Sequence, residues 1–308
     1  MKLGINLVNF GPTATPEILA GWAALAEELG YHSLLTSDHL ALTNDITHRY
    51  PAPFYEPLST LGWLAGITDR VEIGTTVVIV PYRHPLETAR AFANIDRLSG
   101  GRLIFGVGVG WAAEEFAALD IPFELRGALT DEYLEVIVRA WTSERVSHAG
   151  RFTFDDVDTT PLPVRRPHPP IWVGGGSRAA LERTVRLGAA WHPIWQRPER
   201  FRDVAVPRLR ELADAAGEPM PALCPRIQLD VSDRPRPEGG RHLGEGTFDQ
   251  LREDLILLED LGCSHVILDP YNASDPEAAA AVDVARAHEN LRVVASDLFD
   301  LAAGTVRP

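Results

Sequence analysis

Short runs of aliphatic and β-branched residues alternate along this chain with longer segments whose apolar residues recur at helical spacing. A strand, an amphipathic helix and a second strand pack most readily as a parallel βαβ unit, so this alternation constrains the fold more than any single motif. Eight units can be counted. Strands are expected at residues 3–8, 33–36, 71–77, 103–107, 171–173, 189–191, 223–231 and 265–268. Helices are expected at 16–29, 57–68, 86–98, 131–141, 178–187, 198–215, 248–261 and 276–287. In "EELGYHSLL", "VRLGAAWHP" and "LEDLGCSHVIL" a glycine follows the helical run and supplies a left-handed cap before the next strand. Two segments interrupt the rhythm. Residues 147–170 contain the hairpin-like "HAGRFTFDDV", and residues 232–246 are rich in Pro, Gly and Arg; both read as loops inserted into one domain spanning residues 1–308. The expected fold class is α/β, a (β/α)8 TIM barrel with insertions, with a doubly wound open sheet as the alternative.

Charge and composition narrow the partners. The chain carries 29 basic against 43 acidic residues, a formal net charge of -14, which argues against nucleic acid or an anionic membrane as the main partner. No apolar run approaches the ~18 residues of a membrane span, and "MKLGINLVNF" lacks the basic, apolar and small-residue regions of a leader, so a cytoplasmic protein is expected. Cys224 and Cys263 lie in apolar settings with no zinc or redox spacing, and read as buried structural thiols. The ten histidines are scattered without ligand spacing, so no metal is expected. No G-x-S-x-G elbow is present.

In a barrel of this kind the chemistry gathers where strands end at their C-terminal side. Asn9 and Phe10 follow the first strand, Asp38 and His39 the second, Gly108 to Trp111 the fourth, and Gly174 to Ser177 the fifth. Asp38 and His39 could be a turn cap and a hydrogen-bonded loop histidine, but at a strand end the site reading gains weight. "GVGVGW" has the wrong final spacing for a dinucleotide fingerprint and follows the wrong strand. Its glycines either admit a flat ring or ease a tight turn. "WVGGGSRAALERTV" ends a strand in three glycines with Ser177 at a helix N-cap, an arrangement that offers free N–H groups and the helix dipole to an anion such as phosphate. An ordinary capped turn is the other reading. Glu114 and Glu115, being adjacent, diverge around a helix and read as surface or capping charges.

Taken in order, "SDHL", "IGTTVVIVPYRHP", "ARAFANIDRLSGGRLIFGVGVGW", "EEFAALDIPFELRGALTDEYLEVIVRAW" and "PIWVGGGSRAALERTVRLGAAWHP" resemble the bacterial luciferase-like monooxygenase superfamily. Within it the chain is similar to the branch of deazaflavin oxidoreductases that use coenzyme F420. The resemblance runs from the start to about residue 195 and more weakly through "LGCSHVILDPY". It implies a (β/α)8 barrel, usually dimeric, with a non-prolyl cis peptide at Thr76–Val77 supporting the cofactor ring. It also places Asp38 and His39 near the reactive face and the phosphate turn at Gly174, Gly175, Gly176 and Ser177, with Arg178 as a further contact. Many relatives have Asp-Gly where this chain has Ala189 and Ala190, which removes a polar role there. The "RGALTDE" match, residues 126–132, is expected to fix a helix start, with Asp131 and Glu132 in its first turn.

What the resemblance implies is an F420-dependent oxidoreductase that moves a hydride between the deazaflavin C5 and a small organic substrate. Thr76 and Val77 would support the ring, with Gly108, Gly110 and Trp111 forming ring contacts and pocket wall. His39 would be the proton donor or acceptor, with Asp38 orienting it. Phe10, Tyr82, Trp111 and Trp195 would face an apolar or planar substrate, unless they are aromatic core. The alternatives are an FMN-dependent monooxygenase using dioxygen and a non-catalytic flavin-binding barrel.

Overall fold

The computed structural model describes residues 1–272 and 282–307. Eight parallel strands form its centre: β1 (Lys2–Leu7), β2 (Ser33–Thr36), β3 (Glu72–Thr75), β4 (Leu103–Gly108), β5 (Ile171–Gly174), β6 (Ala190–His192), β7 (Arg226–Gln228) and β8 (His265–Asp269). Each pairs with its sequence neighbour from β1 to β6, β8 pairs with both β7 and β1, and bridges Trp191–Leu223 and Ile194–Arg226 join β6 to the β7 segment. Those bridges complete the barrel. Outside it pack α1 (Pro16–Leu29), α2 (Pro57–Ile67), α3 (Pro85–Leu98), α4 (Arg126–Thr142), α5 (Arg178–Arg186), α6 (Val206–Ala216), α7 (Phe248–Asp260) and α8 (Val284–Val293).

Side-chain alternation along the strands divides the core. Leu3, Ile5 and Leu7 of β1 join the cluster shared with the helices, including Trp22 and Phe92. Leu35, Ile104, Trp172, Ala190, Cys224 and Ile267, drawn from five strands and the approach to β7, make a second cluster. Cys224 and Cys263 are free and buried, and burial pushes each thiol up to about 12, which fits the structural role expected of them.

Several expected boundaries shift. The seventh strand is shorter than 223–231, because Gly244 lies against the carbonyl of Gln228 and Asp230–Val231 pairs instead with Glu245–Gly246. The second insertion thereby takes the end of that strand. The fourth helix begins at Arg126, directly after a turn over Phe123–Leu125, so Asp131 and Glu132 lie beyond its first turn. They make tertiary contacts: Arg183 Nε donates to Asp131 at 2.8 Å, and His148 Nε2 meets Glu132 at 2.9 Å. The sixth helical segment starts at Pro198 but passes through a wide π-type turn, Phe201–Ala205, before α6, where Pro207 has no N–H to give. The eighth helix was expected at 276–287; residues 276–281 lie outside the described residues, and the described helix runs from Val284 to Val293. The first insertion folds as an antiparallel hairpin, Arg145–Ala149 with Thr153–Asp158.

Candidate active site

A cleft of about 240 Å³ opens at the C-terminal ends of the strands. It collects Asp38, His39, Thr76, Val77, Gly108, Gly110, Trp111, Gly174, Gly175 and Trp195, residues spread across more than half the chain. A larger cavity of about 570 Å³ lies near the opposite ends, among Lys2, Glu72 and His265. It meets none of these strand-end groups, and in a barrel the N-terminal end is the structural one, so the smaller cleft is the candidate site.

His39 is held by a residue from a different unit. Its Nδ1 lies 2.7 Å from Oε2 of Glu115, whose side chain is fully buried. Glu115 Oε1 accepts the backbone N–H groups of Leu40 and Ala41 at 2.6 and 3.1 Å, and Oε2 accepts the Tyr82 hydroxyl at 2.6 Å. A carboxylate has only acceptors to offer, so Nδ1 carries the imidazole proton when the ring is neutral and Nε2 is left to the cleft. Burial, followed by the bond to Glu115, raises the Tyr82 phenol and keeps it protonated. Glu115 comes from a short helix, Ala113–Ala118, and reaches inward while Glu114 stays exposed. Adjacent carboxylates do diverge, but one of the pair is inside the site rather than on the surface.

Asp38 does not orient His39. Its two oxygens receive the guanidinium of Arg83 at 2.8 and 2.9 Å, and Oδ2 also accepts Ile79 N–H at 2.9 Å. Burial opposes the charge on Arg83, yet Asp38 and Glu56 together raise it above its ordinary value. The acid therefore fastens the segment after β3, where the peptide between Thr76 and Val77 is cis.

That segment is gripped from the other side too. Arg226 Nη1 donates to the Thr76 carbonyl at 2.9 Å, while its Nε and Nη2 donate to Asp269 at 2.8 and 2.5 Å. Asn6 Nδ2 donates to the same carboxylate at 2.7 Å. The Thr76 hydroxyl lies 2.8 Å from His192 Nε2, and His192 Nδ1 lies 2.5 Å from the Cys224 carbonyl. A carbonyl only accepts, so Nδ1 donates and Nε2 accepts from Thr76. Burial lowers His192 to about 4, so it is neutral at pH 7.

Glycines keep the floor low. A Cβ at Gly108 would stand 2.5 Å from Val77 Cγ2, and one at Gly110 would stand 2.7 Å from Phe116 and 2.8 Å from Ile79. At Gly174 to Ser177 the strand turns into α5, Gly175 has φ +97°, and Ser177 Oγ accepts Ala180 N–H at 3.3 Å. The N–H groups of Gly176 and Ser177 have no partner among the described residues. The cleft reaches Gly174 and Gly175; Gly176, Ser177 and Arg178 stand outside its wall, and Arg178 pairs with Glu182 at 2.7 Å.

The aromatic expectations divide. Trp111 and Trp195 line the cleft and are 41% and 36% exposed, Trp195 with φ +52°. Phe10 is buried behind the wall, stacked on Phe54 and edge-on to Tyr50 and Tyr271. Tyr82 is buried against Phe116 with its hydroxyl on Glu115, so neither ring lines the cleft. Tyr50, His192, Ile194 and Arg226 do line it and were not singled out by sequence. Only "WHPIW" hinted at two of them, since it runs off the C-terminal end of β6 as the other site segments do from their strands.

Residues 1–239 match the profile of the luciferase-like monooxygenases. The chain belongs to that family. It is thus an oxidoreductase of the luciferase-like class. An F420-dependent glucose-6-phosphate dehydrogenase of Nakamurella multipartita is 31% identical over 234 residues, covering 73% of this chain and 65% of its own. The monooxygenase RslO1 of Streptomyces bottropensis superposes with a TM-score of 0.75 at 26% identity, covering 95% of this chain and 99% of its own. An F420-dependent secondary alcohol dehydrogenase, solved with an F420–acetone adduct, has a TM-score of 0.73 at 18% identity over 92% and 97% of the two chains, a likeness of fold. For a luciferase-like chain, the low glycine floor and the unpartnered N–H groups beside it fit a flat ring with a phosphate-bearing tail. Among the described residues no cluster of His, Cys, Asp and Glu could hold a metal ion, and no helix is long and apolar enough to cross a membrane.

Proposed function

We propose that this chain binds coenzyme F420 in the cleft and transfers a hydride between the deazaflavin C5 and a small organic substrate. The observation that carries the reading is the convergence of Thr76, Val77, Gly108, Gly110 and Gly174 on one cleft that also holds His39. Two F420-dependent glucose-6-phosphate dehydrogenases at 31% and 30% identity support the choice of cofactor. When bound, the cofactor supplies a ring carbon that gives or accepts a hydride. Thr76, Val77, Gly108 and Gly110 hold the ring, and the N–H groups of Gly176 and Ser177, after the turn at Gly174 and Gly175, meet the phosphate, with Arg178 at the rim. His39 Nε2 takes up or delivers the substrate proton. Trp111 and Trp195 exclude water and favour an uncharged, planar or apolar substrate.

A second reading, an FMN-dependent monooxygenase using dioxygen, draws on the likeness to RslO1. Titration of the purified protein with each cofactor, followed by quenching of tryptophan fluorescence from Trp111 and Trp195, separates them. Micromolar binding of F420 with weaker FMN binding is expected; the reverse order overturns the proposal. Binding of either without turnover across alcohols, enones and imines would favour a carrier. The protein is proposed to act as a homodimer, which light scattering on the eluting peak tests.

A further inference from the structure

We propose that Glu115 is a positioning residue that fixes the tautomer of His39, so that the nitrogen facing the cleft is a proton acceptor in the neutral enzyme. The site location rests on the proposed function; the tautomer rests on this chain alone. Four donors meet on one buried carboxylate. Oε1 is committed to the N–H groups of Leu40 and Ala41, and Oε2 to His39 Nδ1 and the Tyr82 hydroxyl. Every group around the carboxylate is a donor, which leaves Nδ1 no other role. His39 Nε2 has no partner among the described residues and lies on the cleft, edge-on to Trp111 with ring centroids 5.9 Å apart.

The arrangement makes an unusual demand on the isosteric amide. In Glu115→Gln the amide oxygen stays with Leu40 and Ala41, whose N–H groups need an acceptor. The NH₂ then replaces Oε2 and donates toward His39 Nδ1. A donor facing Nδ1 drives the proton to Nε2, so the variant presents the cleft with an N–H where the native enzyme presents a lone pair. A merely structural role for Glu115 would loosen His39 without reversing its tautomer.

The test uses ¹⁵N-histidine-labelled protein without cofactor, at a pH where the ring is neutral, with His39 assigned by loss of its signals in His39→Gln. The native protein should show protonated Nδ1 and bare Nε2; Glu115→Gln should show the reverse, and Tyr82→Phe the native pattern. Protonated Nε2 in the native protein overturns the proposal, as does an unchanged tautomer in Glu115→Gln or an inversion in Tyr82→Phe. If Glu115→Gln does not fold, the native and Tyr82→Phe spectra still decide. Failure of the native protein to bind F420 would sink the cofactor assignment while leaving the tautomer result intact.

Discussion

Arg83 meets Asp38 through two parallel hydrogen bonds, Nη1 to Oδ2 at 2.8 Å and Nη2 to Oδ1 at 2.9 Å, with the carboxylate fully buried. The planar fork matches the carboxylate in a way an ammonium does not. Arg83→Ala strands the buried charge and is expected to cost about 3–5 kcal/mol, whereas Arg83→Lys recovers only part of it. Urea denaturation of the two variants checks the order. Equal stability of Arg83→Ala and native protein would refute this role for the pair.

Thr76→Val keeps the shape of the side chain and removes the hydroxyl between His192 Nε2 and Arg226. A buried acceptor then lacks its donor, at a cost of about 1–3 kcal/mol. Because Thr76 also lines the cleft, weaker F420 binding should accompany the loss, and both are read from the same purified variant.

Gly110 has φ +81° and no room for a methyl group between Phe116 and Ile79. Gly110→Ala should lower stability by about 1–3 kcal/mol through overpacking, with backbone strain added. At Gly176 a Cβ would meet nothing within 4 Å, so Gly176→Ala should change the melting temperature little. Calorimetry of the two variants gives the comparison, and similar melting temperatures would count against the tight floor.

His192 carries a pH dependence whose sign follows from burial. Its folded-state value is about 4 against an ordinary 6.5, so between those values the unfolded chain binds the extra proton. Stability is therefore retained above pH 6.5 and lost as pH falls toward 4, by about 3 kcal/mol for this residue. Buried His265 shifts in the same direction and adds to the loss. Denaturation midpoints across that range should fall toward acid, and His192→Gln should flatten the slope by about one proton.

The eight-unit rhythm was legible because strand and helix periods are local properties, and the resulting order of strand ends brought His39, Gly108 and Gly174 to one cleft. Glu115 was hidden by the same locality. In "AAEEF" both glutamates look solvent-facing, and nothing within the motif says that one of them points at a histidine 76 residues away. Tyr82 and Phe10 were left between two readings for a related reason: an aromatic ring after a strand suits a wall or the packing behind it, and only the neighbours decide which.

By itself the sequence determined the succession of strands and helices, the glycines where backbone must pass close, and the family pattern that singled out the glycine turn at Gly174 to Ser177. The tertiary structure decided the pairings. It gave Asp38 to Arg83 and His39 to Glu115, because a buried charge takes whichever partner the fold brings within hydrogen-bond distance, and that distance is set by the closing of the barrel rather than by the spacing of residues along the chain.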